Sequence, residues 1–577
     1  MEALPFDASI QAMTAAPSAP AAPVTPAAAA RLAEAFPRLT AAQIARVEPH
    51  GTRRKVAAGE VLGEAGEPVT RIWIVVSGRL DLVRPARWQG EDLPSFSEGM
   101  FTGERSVLAG GRFLARIQAT TPCEVIEVGR DALLDMIRTD PELSDIFLRA
   151  FILRRLQLID QSLGDVLLLG SNHCQGSLQI REFLTRNGHP YKFVDLDTDA
   201  DSQAMLDQFH ITAGDIPVVI CRGTLVLRNP TIQEVADCLG LNPTIDRTAI
   251  CDLVIIGAGP AGLGAAVYAA SEGLNVVMIE ANAPGGQAGT SSRIENYLGF
   301  PLGISGQELA GRAYDQAQKF GAKILIARKV ARLDCGTKPY RVQCSDATGE
   351  PLLTRAIIIA SGVQYRRLAV ADLSRFEGAG VYYAATRMEA QLCADEEVAV
   401  VGGANSAGQA VMFLAQTAKR VHMLIRGDGL ATTMSRYLIS RIEAHPKVEL
   451  HTRTEIVGLE GNGHLEQIAW RTGRGGPVQN QKIRHVFTMT GAEPSTKWVA
   501  GCLALDDKGF IKTGAALSAD ELAAAKWPLR RPPHLLETSL PGVLAVGDVR
   551  SGSTKRVASA VGEGSIAVAT VHQILSE

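Results

Sequence analysis

Two glycine-rich runs, Gly257-Ala258-Gly259-Pro260-Ala261-Gly262 and Gly402-Gly403-Ala404-Asn405-Ser406-Ala407-Gly408, have the residue types and order of turns that hold dinucleotides. Each follows a short apolar run, Leu253-Val254-Ile255-Ile256 or Val398-Ala399-Val400-Val401, and precedes a run of small residues with helical character. A glycine turn between strand and helix lets the backbone approach a pyrophosphate, and the helix N-terminus faces the negative charge. One such loop is a weak signal; two in order are a strong one. The chemistry they imply is a flavin that receives electrons from a nicotinamide.

The residues at the strand ends sharpen this. After Gly257 the chain runs to Val276-Val277-Met278-Ile279-Glu280. A carboxylate about 20 positions after the turn accepts hydrogen bonds from an adenosine ribose, which suits FAD or NAD. The bland reading of Glu280 is an acid that ends a strand in solvent. After the second loop, Val421-His422-Met423-Leu424-Ile425 is followed by Arg426. An arginine there can pair with the 2′-phosphate of NADPH. NADH stays open, and a solvated surface charge is the alternative for Arg426.

A third reactive candidate is Cys174, in Cys174-Gln175-Gly176-Ser177 at the mouth of an expected helix. A helix N-terminus lowers a thiol's pKa. No Cys-x-x-Cys occurs in the chain. Cys174 therefore has only a mixed disulfide or a bridge to a distant thiol such as Cys221 open to it. The alternative is a structural relic. No His- or Cys-rich cluster has metal-ligand spacing, so a metal is not implied.

These residues need several domains to position them. The 577 residues are too many for one core, and three or four domains is the expectation. A composition of 46% hydrophobic and 21% charged residues is that of an ordinary soluble protein. A formal net charge of −3 gives no electrostatic case for nucleic acid. The start, Met1-Glu2-Ala3-Leu4-Pro5, lacks the cationic and apolar regions of a signal peptide. No apolar stretch approaches the roughly 18 residues of a membrane span. Nine scattered cysteines read as reduced thiols, so the expected location is the cytoplasm.

Residues 1–35 form an Ala/Pro-rich leader that cannot bury enough apolar surface to order itself. Residues 36–160 read as short strands punctuated by glycine, then helices, which fits a small β-barrel closed by C-terminal helices. Arg71–Val83 reads as two strands turned at Ser77-Gly78. This stretch resembles a cyclic nucleotide-binding domain through its Gly59-Glu60 turn, the Ser77-Gly78 hairpin and Gly103-Glu104. The resemblance implies that Gly103 and Glu104 open a short helix and that Glu104 holds a ribose hydroxyl. The family's phosphate-binding Arg falls at Phe113, with Arg112 beside it and Arg116 slightly further on. Two readings stand: a nucleotide site using Arg112, or a degenerate barrel kept for docking or dimerisation. No helix-turn-helix follows, which argues against a transcription regulator.

Residues 164–242 have a β-α-β-α-β-β rhythm and are similar to a thioredoxin or glutaredoxin domain. Cys174 falls at the nucleophile's place and Ser177 at the resolving cysteine's place. The resemblance implies a cis proline at Ile216-Pro217.

From about 250 onwards the chain resembles the low-molecular-weight thioredoxin reductases, through Gly285-Gly286-Gln287, Ile294-Glu295-Asn296-Tyr297-Leu298-Gly299, Ala360-Ser361-Gly362, Val546-Gly547-Asp548-Val549 and Lys555-Arg556-Val557-Ala558. The resemblance implies an FAD domain in two parts, 249–370 and 491–577, around an NAD(P)H-binding insertion at 371–490. In it Gly286, Gln287 and Asn296 run along the flavin, Gly362 lies in the same site, and Val330 bonds the adenine. Asp548 beside Gly547 holds the ribityl hydroxyls. The Arg556-Val557-Ala558 turn aims a helix N-terminus at the flavin carbonyl, where a positive dipole stabilises the reduced ring. Gly402, Gly403, Asn405, Ser406, Ala407 and Arg426 receive NADPH. A homodimer is implied as well.

The family's redox cysteines are missing. Their places in Gly380–Glu389 hold Ala384 and Arg387, with Cys393 a few residues on. The acceptor therefore stays open among three: a disulfide reached through Cys174, direct reduction as in ferredoxin or flavodoxin NADP reductases, and a sensor with little turnover. The expected fold is α/β: two Rossmann-like domains, for FAD and NAD(P)H, preceded by a thioredoxin-like unit and an N-terminal barrel. Expected partners are small-molecule nucleotides and a thioredoxin-like or other redox acceptor, with no nucleic acid or membrane.

Overall fold

The computed structural model describes residues 33–83, 95–103, 106–109, 112–113, 115–160, 166–172, 174–197, 212–221, 225–291, 293–345, 349–431 and 433–577. Glu104, most of the expected leader and the second helix expected in 164–242 lie outside them. The chain divides into two compact units. The first comprises 1–172, 188–244 and 318–320; the second comprises 173–187, 245–317 and 321–577. No helix among the described residues is long and apolar enough to cross a membrane.

In the first unit, strands Thr52–Val56, Cys123–Gly129 and Arg71–Ser77 make one antiparallel sheet. Val61–Gly63, Arg116–Ala119, Arg79–Val83 and Ser95–Ser97 make another. The two enclose Trp73, Ile74, Leu80 and Phe101, all essentially without solvent exposure. Helices Arg130–Thr139 and Pro141–Asp160 follow, and Phe147 and Phe151 of the second pack on Phe101. The Ser77-Gly78 turn is a corner and not the expected hairpin, because Arg71–Ser77 and Arg79–Val83 belong to different sheets. Only glycine fits there: a Cβ on Gly78, at φ +84°, would lie 2.5 Å from the Pro122 carbonyl oxygen.

A four-stranded sheet completes this unit, in the order Leu225–Arg228, Val218–Cys221, Val166–Gly170, Tyr191–Asp195. The last two strands run parallel, so the chain between them must cross over, and it does so through helix Gln175–Arg186. Ile216-Pro217 is cis.

In the second unit, Lys323–Leu325, Val276–Ile279, Ile250–Ile256 and Leu352–Ile359 form a parallel sheet. At Leu352–Ile359 it forks, pairing antiparallel with Tyr340–Cys344 near one end and parallel with Val543–Ala545 near the other. Strands buried on both faces explain the unbroken apolar runs of the sequence. The insertion has its own parallel sheet, ordered Val381–Tyr382, His485–Thr488, Glu397–Val401, Arg420–Leu424, Val448–His451. One face packs on helices Asn405–Leu414 and Arg436–Ala444, the other on the meander Thr454–Glu460, Gln467–Thr472, Val478–Gln481. Val363–Tyr365 and Ala492–Pro494 pair as the two-stranded ribbon by which the chain enters and leaves the insertion.

Four cysteines depart from the expectation of reduced thiols. Cys221 is bonded to Cys238, with Cα atoms 6.7 Å apart, and Cys335 to Cys502, at 6.0 Å. The partners are 17 and 167 residues apart, spacings with no signature. A Cys174–Cys221 bridge is not formed; Cys174 is a free thiol.

Candidate functional site

The first cradle begins where the strand Ile250–Ile256 turns at Gly257, φ +103°. A Cβ there would lie 2.4 Å from the Ala360 carbonyl oxygen, and one on Gly262 would lie 1.9 Å from the Gly257 oxygen. Both positions demand glycine by close approach. Gly259 is the N-cap of helix Pro260–Ser271, and the space a Cβ would take there is open, its nearest neighbour being the Gly286 Cα at 4.0 Å. Pro260 sits at the first helical position, where its missing N–H is no loss. Ala261 is buried under Gly547 and Gly564, which brings this helix against Val557–Ser576. Glu280 braces the turn: its carboxylate accepts from the Ala258 N–H at 2.7 Å and the Asn282 N–H at 2.9 Å. Carboxylate lone pairs remain for a ribose.

Around this turn the structure gathers most of the other expected residues. Gly286, φ +53°, faces Gly259, and Gln287 ties the turn to the ribbon by donating to the Val363 carbonyl at 2.6 Å. Gly362 lies just before that strand, and its Cβ space is open. Val330 is buried at the start of strand Val330–Asp334, while Asn296 is exposed. The Gly547 N–H donates to Glu563 at 2.7 Å, and Glu563 also accepts from Arg550 at 2.5 and 3.2 Å. This largely buried ion pair sets the turn that carries Asp548. Sequence reading missed Glu563, whose only signal is an acid inside a helix of small residues.

The Asp548 carboxyl is half-buried and has no hydrogen bond from a described residue. Burial pushes its pKa up, Lys555 opposes this and Glu563 adds to it. Arg556 is the N-cap of Val557–Ser576, so the first N–H groups of that helix, at Val557 and Ala558, have no partner within it. An open glycine face, an unpartnered carboxyl and a free helix N-terminus are the donor set a flavin dinucleotide needs, so these residues fit that group.

The second cradle repeats the turn. Gly402 has φ +145°, and a Cβ there would lie 2.5 Å from the Met489 carbonyl oxygen. Ala404 takes the N-cap place that Gly259 has in the first loop. Thr433 donates to the Gly403 carbonyl at 2.7 Å, and Asn405 accepts from the Ser435 N–H and hydroxyl at 2.8 and 3.0 Å. These two latches come from a segment some 30 residues on, which is why local reading passed over them. Ala407 is buried; Ser406 is exposed and bonds the Tyr365 hydroxyl. Burial raises the Tyr365 pKa, the Ser406 bond lowers it, and the charge of Asp548 raises it. Tyr365 thus stands between the two cradles. Arg426 is exposed and has no ion pair or hydrogen bond with a described residue.

At the place of the absent cysteines, Ala384 is half-buried and Arg387 begins helix Arg387–Leu392. Cys393 is fully buried, and burial pushes its thiol up to about 12, so it is no thiolate at neutral pH. Cys174 is half-buried at the N-cap of Gln175–Arg186, where its carbonyl accepts from the Leu178 N–H at 3.1 Å. That helix bears on the first cradle: Arg186 donates to the Gly286 carbonyl at 3.1 Å and Asn187 to the Asn282 carbonyl at 3.4 Å. Its other end reaches the loop before the absent cysteines, with the Gln175 Cγ 3.5 Å from the Cβ position of Gly378.

In the front unit, Gly103 has φ +101° and its carbonyl accepts from Arg154 at 2.6 Å. Arg112 donates to the Gly66 carbonyl at 2.9 Å, Phe113 stacks on Trp73 with ring centroids 5.9 Å apart, and Arg116 pairs with Glu64 at 3.0 Å.

A dinucleotide cradle with a second one inserted by a ribbon defines the two-nucleotide class of oxidoreductase. The family model described as pyridine nucleotide-disulphide oxidoreductase matches residues 251–564, and that of the cyclic nucleotide-binding domain matches 53–140. The chain belongs to the pyridine nucleotide-disulphide oxidoreductases. It is 31% identical over 337 residues to a thioredoxin reductase of Eremothecium gossypii, covering 56% of this chain and 98% of the relative. It is 30% identical over 371 residues to the NADPH-dependent thioredoxin reductase 3 of Arabidopsis thaliana, covering 61% of this chain and 66% of that one. The solved thioredoxin reductase of T. acidophilum aligns at 26% identity and TM-score 0.50, over 57% of this chain and all of that one.

Proposed function

We propose that this chain passes electrons from NADPH, received at the insertion, through FAD at the first cradle to a thioredoxin-type disulfide or another acceptor outside the insertion. The observation that carries this reading is Asp548: a half-buried, unpartnered carboxyl with a raised pKa beside a free helix N-terminus. FAD and NADPH, when bound, supply the redox chemistry itself. The chain's part is positioning. Gly257–Gly262 would admit the FAD pyrophosphate, Glu280 the ribose and Asp548 the ribityl chain. The N-terminus of Val557–Ser576 would favour negative charge on the ring. Gly402–Ala407 and Arg426 would seat NADPH, with Tyr365 between the two sites.

The disulfide acceptor is supported by the names of the relatives. Delivery past the insertion is supported by Ala384 and by the buried, un-ionised Cys393. Direct reduction of an external acceptor is the second reading these two residues favour. For the front unit we favour docking or dimerisation over nucleotide sensing, since Phe113, at the place of the family's phosphate-binding arginine, is packed on Trp73, while Arg112 donates to the Gly66 carbonyl and Arg116 pairs with Glu64. The domain boundaries that go with this reading are 36–160, 164–242, 249–370, 371–490 and 491–577.

The test is to purify the full chain, determine its flavin, and add one equivalent of NADPH without oxygen. Bound FAD whose visible absorbance bleaches within seconds is expected. Absence of flavin, or a flavin that NADPH leaves oxidised, overturns the proposal.

A further inference from the structure

The insertion sheet carries a second cluster of chemical groups, away from the glycine loop. Strands Glu397–Val401, Arg420–Leu424 and Val448–His451 lie side by side and parallel, with His422 opposite Glu449 and Leu424 opposite His451. Because side chains alternate along a strand, Glu397, His422, Glu449 and His451 project from one face. That face is covered by the meander, whose Trp470 ring lies 5.5 Å from the His422 ring and 4.9 Å from that of His451.

The donor atoms converge. His422 Nδ1 lies 3.1 Å from His451 Nε2, His451 Nε2 lies 3.5 Å from Glu449 Oε1, and His422 Nδ1 lies 3.8 Å from Glu449 Oε2. Two imidazoles and a carboxylate bound tetrahedrally to one ion at about 2.0–2.1 Å would have donor separations of about 3.3 Å. The two Glu449 distances are to different carboxylate oxygens. With one atom from each residue the three donors lie within 4.8 Å of one another, wider than one face of such a tetrahedron but near enough for the exposed Glu449 side chain to close on an ion. The far nitrogen of His422, Nε2, faces Glu397 Oε2 at 3.3 Å. A carboxylate on the outer nitrogen is the usual partner of a metal-bound histidine, since it fixes the tautomer that leaves the inner nitrogen free to bind. His422 is buried and His451 partly so, while the Glu449 carboxylate is nearly half exposed, so solvent reaches a fourth position. Arg420 shares the Glu449 carboxylate at 3.1 Å and Lys419 pairs with Glu397 at 3.4 Å, so the two acids are held in place over the rings.

We propose that His422, His451 and Glu449 bind one zinc-class divalent ion, with Glu397 orienting His422. The donor set of two nitrogens and one oxygen suits zinc and its transition-metal neighbours better than magnesium or calcium. The sequence hides the site: its ligands come from two strands, with only Glu449 and His451 close together, so no ligand motif forms. The ion would clamp the two neighbouring strands Arg420–Leu424 and Val448–His451 together without a ligand from either dinucleotide loop.

The test uses the full chain, stripped with a chelator and equilibrated with zinc by dialysis, with bound zinc measured by metal analysis. One zinc per chain is expected, with a melting temperature raised by zinc. The double variant Glu449→Gln, His451→Gln alters the two more exposed ligands and leaves buried His422 intact. It should lose that equivalent and the thermal shift while its unligated melting temperature stays near that of the parent. A parent chain that retains no zinc, or a folded double variant that retains as much as the parent, overturns the proposal. Because Cys174 is unchanged in both proteins, zinc on that thiol would appear as retention by the variant.

Discussion

The two glycine loops have one backbone and two chemistries. Gly257 and Gly402 both take positive φ, and both would drive a Cβ to within 2.4–2.5 Å of a carbonyl oxygen one residue past the end of a neighbouring strand. The turn is therefore fixed by close packing and is the same device twice. What differs is the flank. The first loop has a bare Gly259 at the N-cap, a carboxylate bonded into the turn, and Asp548 on a neighbouring turn. The second has Ala404 at the N-cap and an unpartnered Arg426 at the strand end. On the proposed reading, the turn serves dinucleotide binding and the charge beside it selects which dinucleotide.

The largest effects should come from filling the two N-caps. Gly259→Glu puts a carboxylate where the pyrophosphate would approach, and the purified variant should be colourless; a yellow one would break the first assignment. Ala404→Glu should leave the protein yellow but unbleached by NADPH. Loss of flavin in both variants would mean that the loops are not separate sites.

Next comes Glu563→Ala, which strands Arg550 and frees the Gly547 N–H. Breaking a largely buried ion pair costs about 3 kcal/mol, so both melting temperature and flavin retention should fall, and an unchanged flavin content would show that Asp548 does not depend on this brace. Arg426→Ala should weaken NADPH about tenfold to a hundredfold, from about 1.5–3 kcal/mol for a charged hydrogen bond, and leave NADH unchanged. Equal losses for both nucleotides would remove Arg426 from the phosphate site.

The smallest effect concerns Glu389, buried in the insertion, whose pKa burial raises against the bonds from Thr386. A raised folded pKa means stability that is greatest below the ordinary carboxylate range and is lost as pH rises toward the folded value. Glu389→Gln should flatten the decline in melting temperature of the parent above the ordinary carboxylate range. A parallel decline in both proteins would contradict it.

The parts legible in the sequence are those whose physics is local. A strand, a glycine turn and a small-residue helix announce themselves within a few residues, so both strand–turn–helix units could be read directly. The resemblance supplied Asp548 and the Arg556 turn. The parts that stayed hidden are long-range. Glu563 reaches back 16 residues to the Gly547 N–H, Thr433 and Ser435 latch a loop 30 residues earlier, and Cys335 meets Cys502 across 167. The Ser77-Gly78 corner shows the complementary error. Turn chemistry located the bend correctly, yet it could not show that the two strands enter different sheets.

The central claim is that electrons from NADPH reach the flavin and leave it without an internal disulfide. Anaerobic reductive titration of the purified full chain, counting electrons taken up per flavin, tests it most directly. Uptake of about two is predicted, because Cys174 and Cys393 are unpaired thiols and the proposed path routes no electrons to the Cys221–Cys238 or Cys335–Cys502 disulfide. Uptake of about four would mean that a disulfide exchanges electrons with the flavin, and would contradict the account.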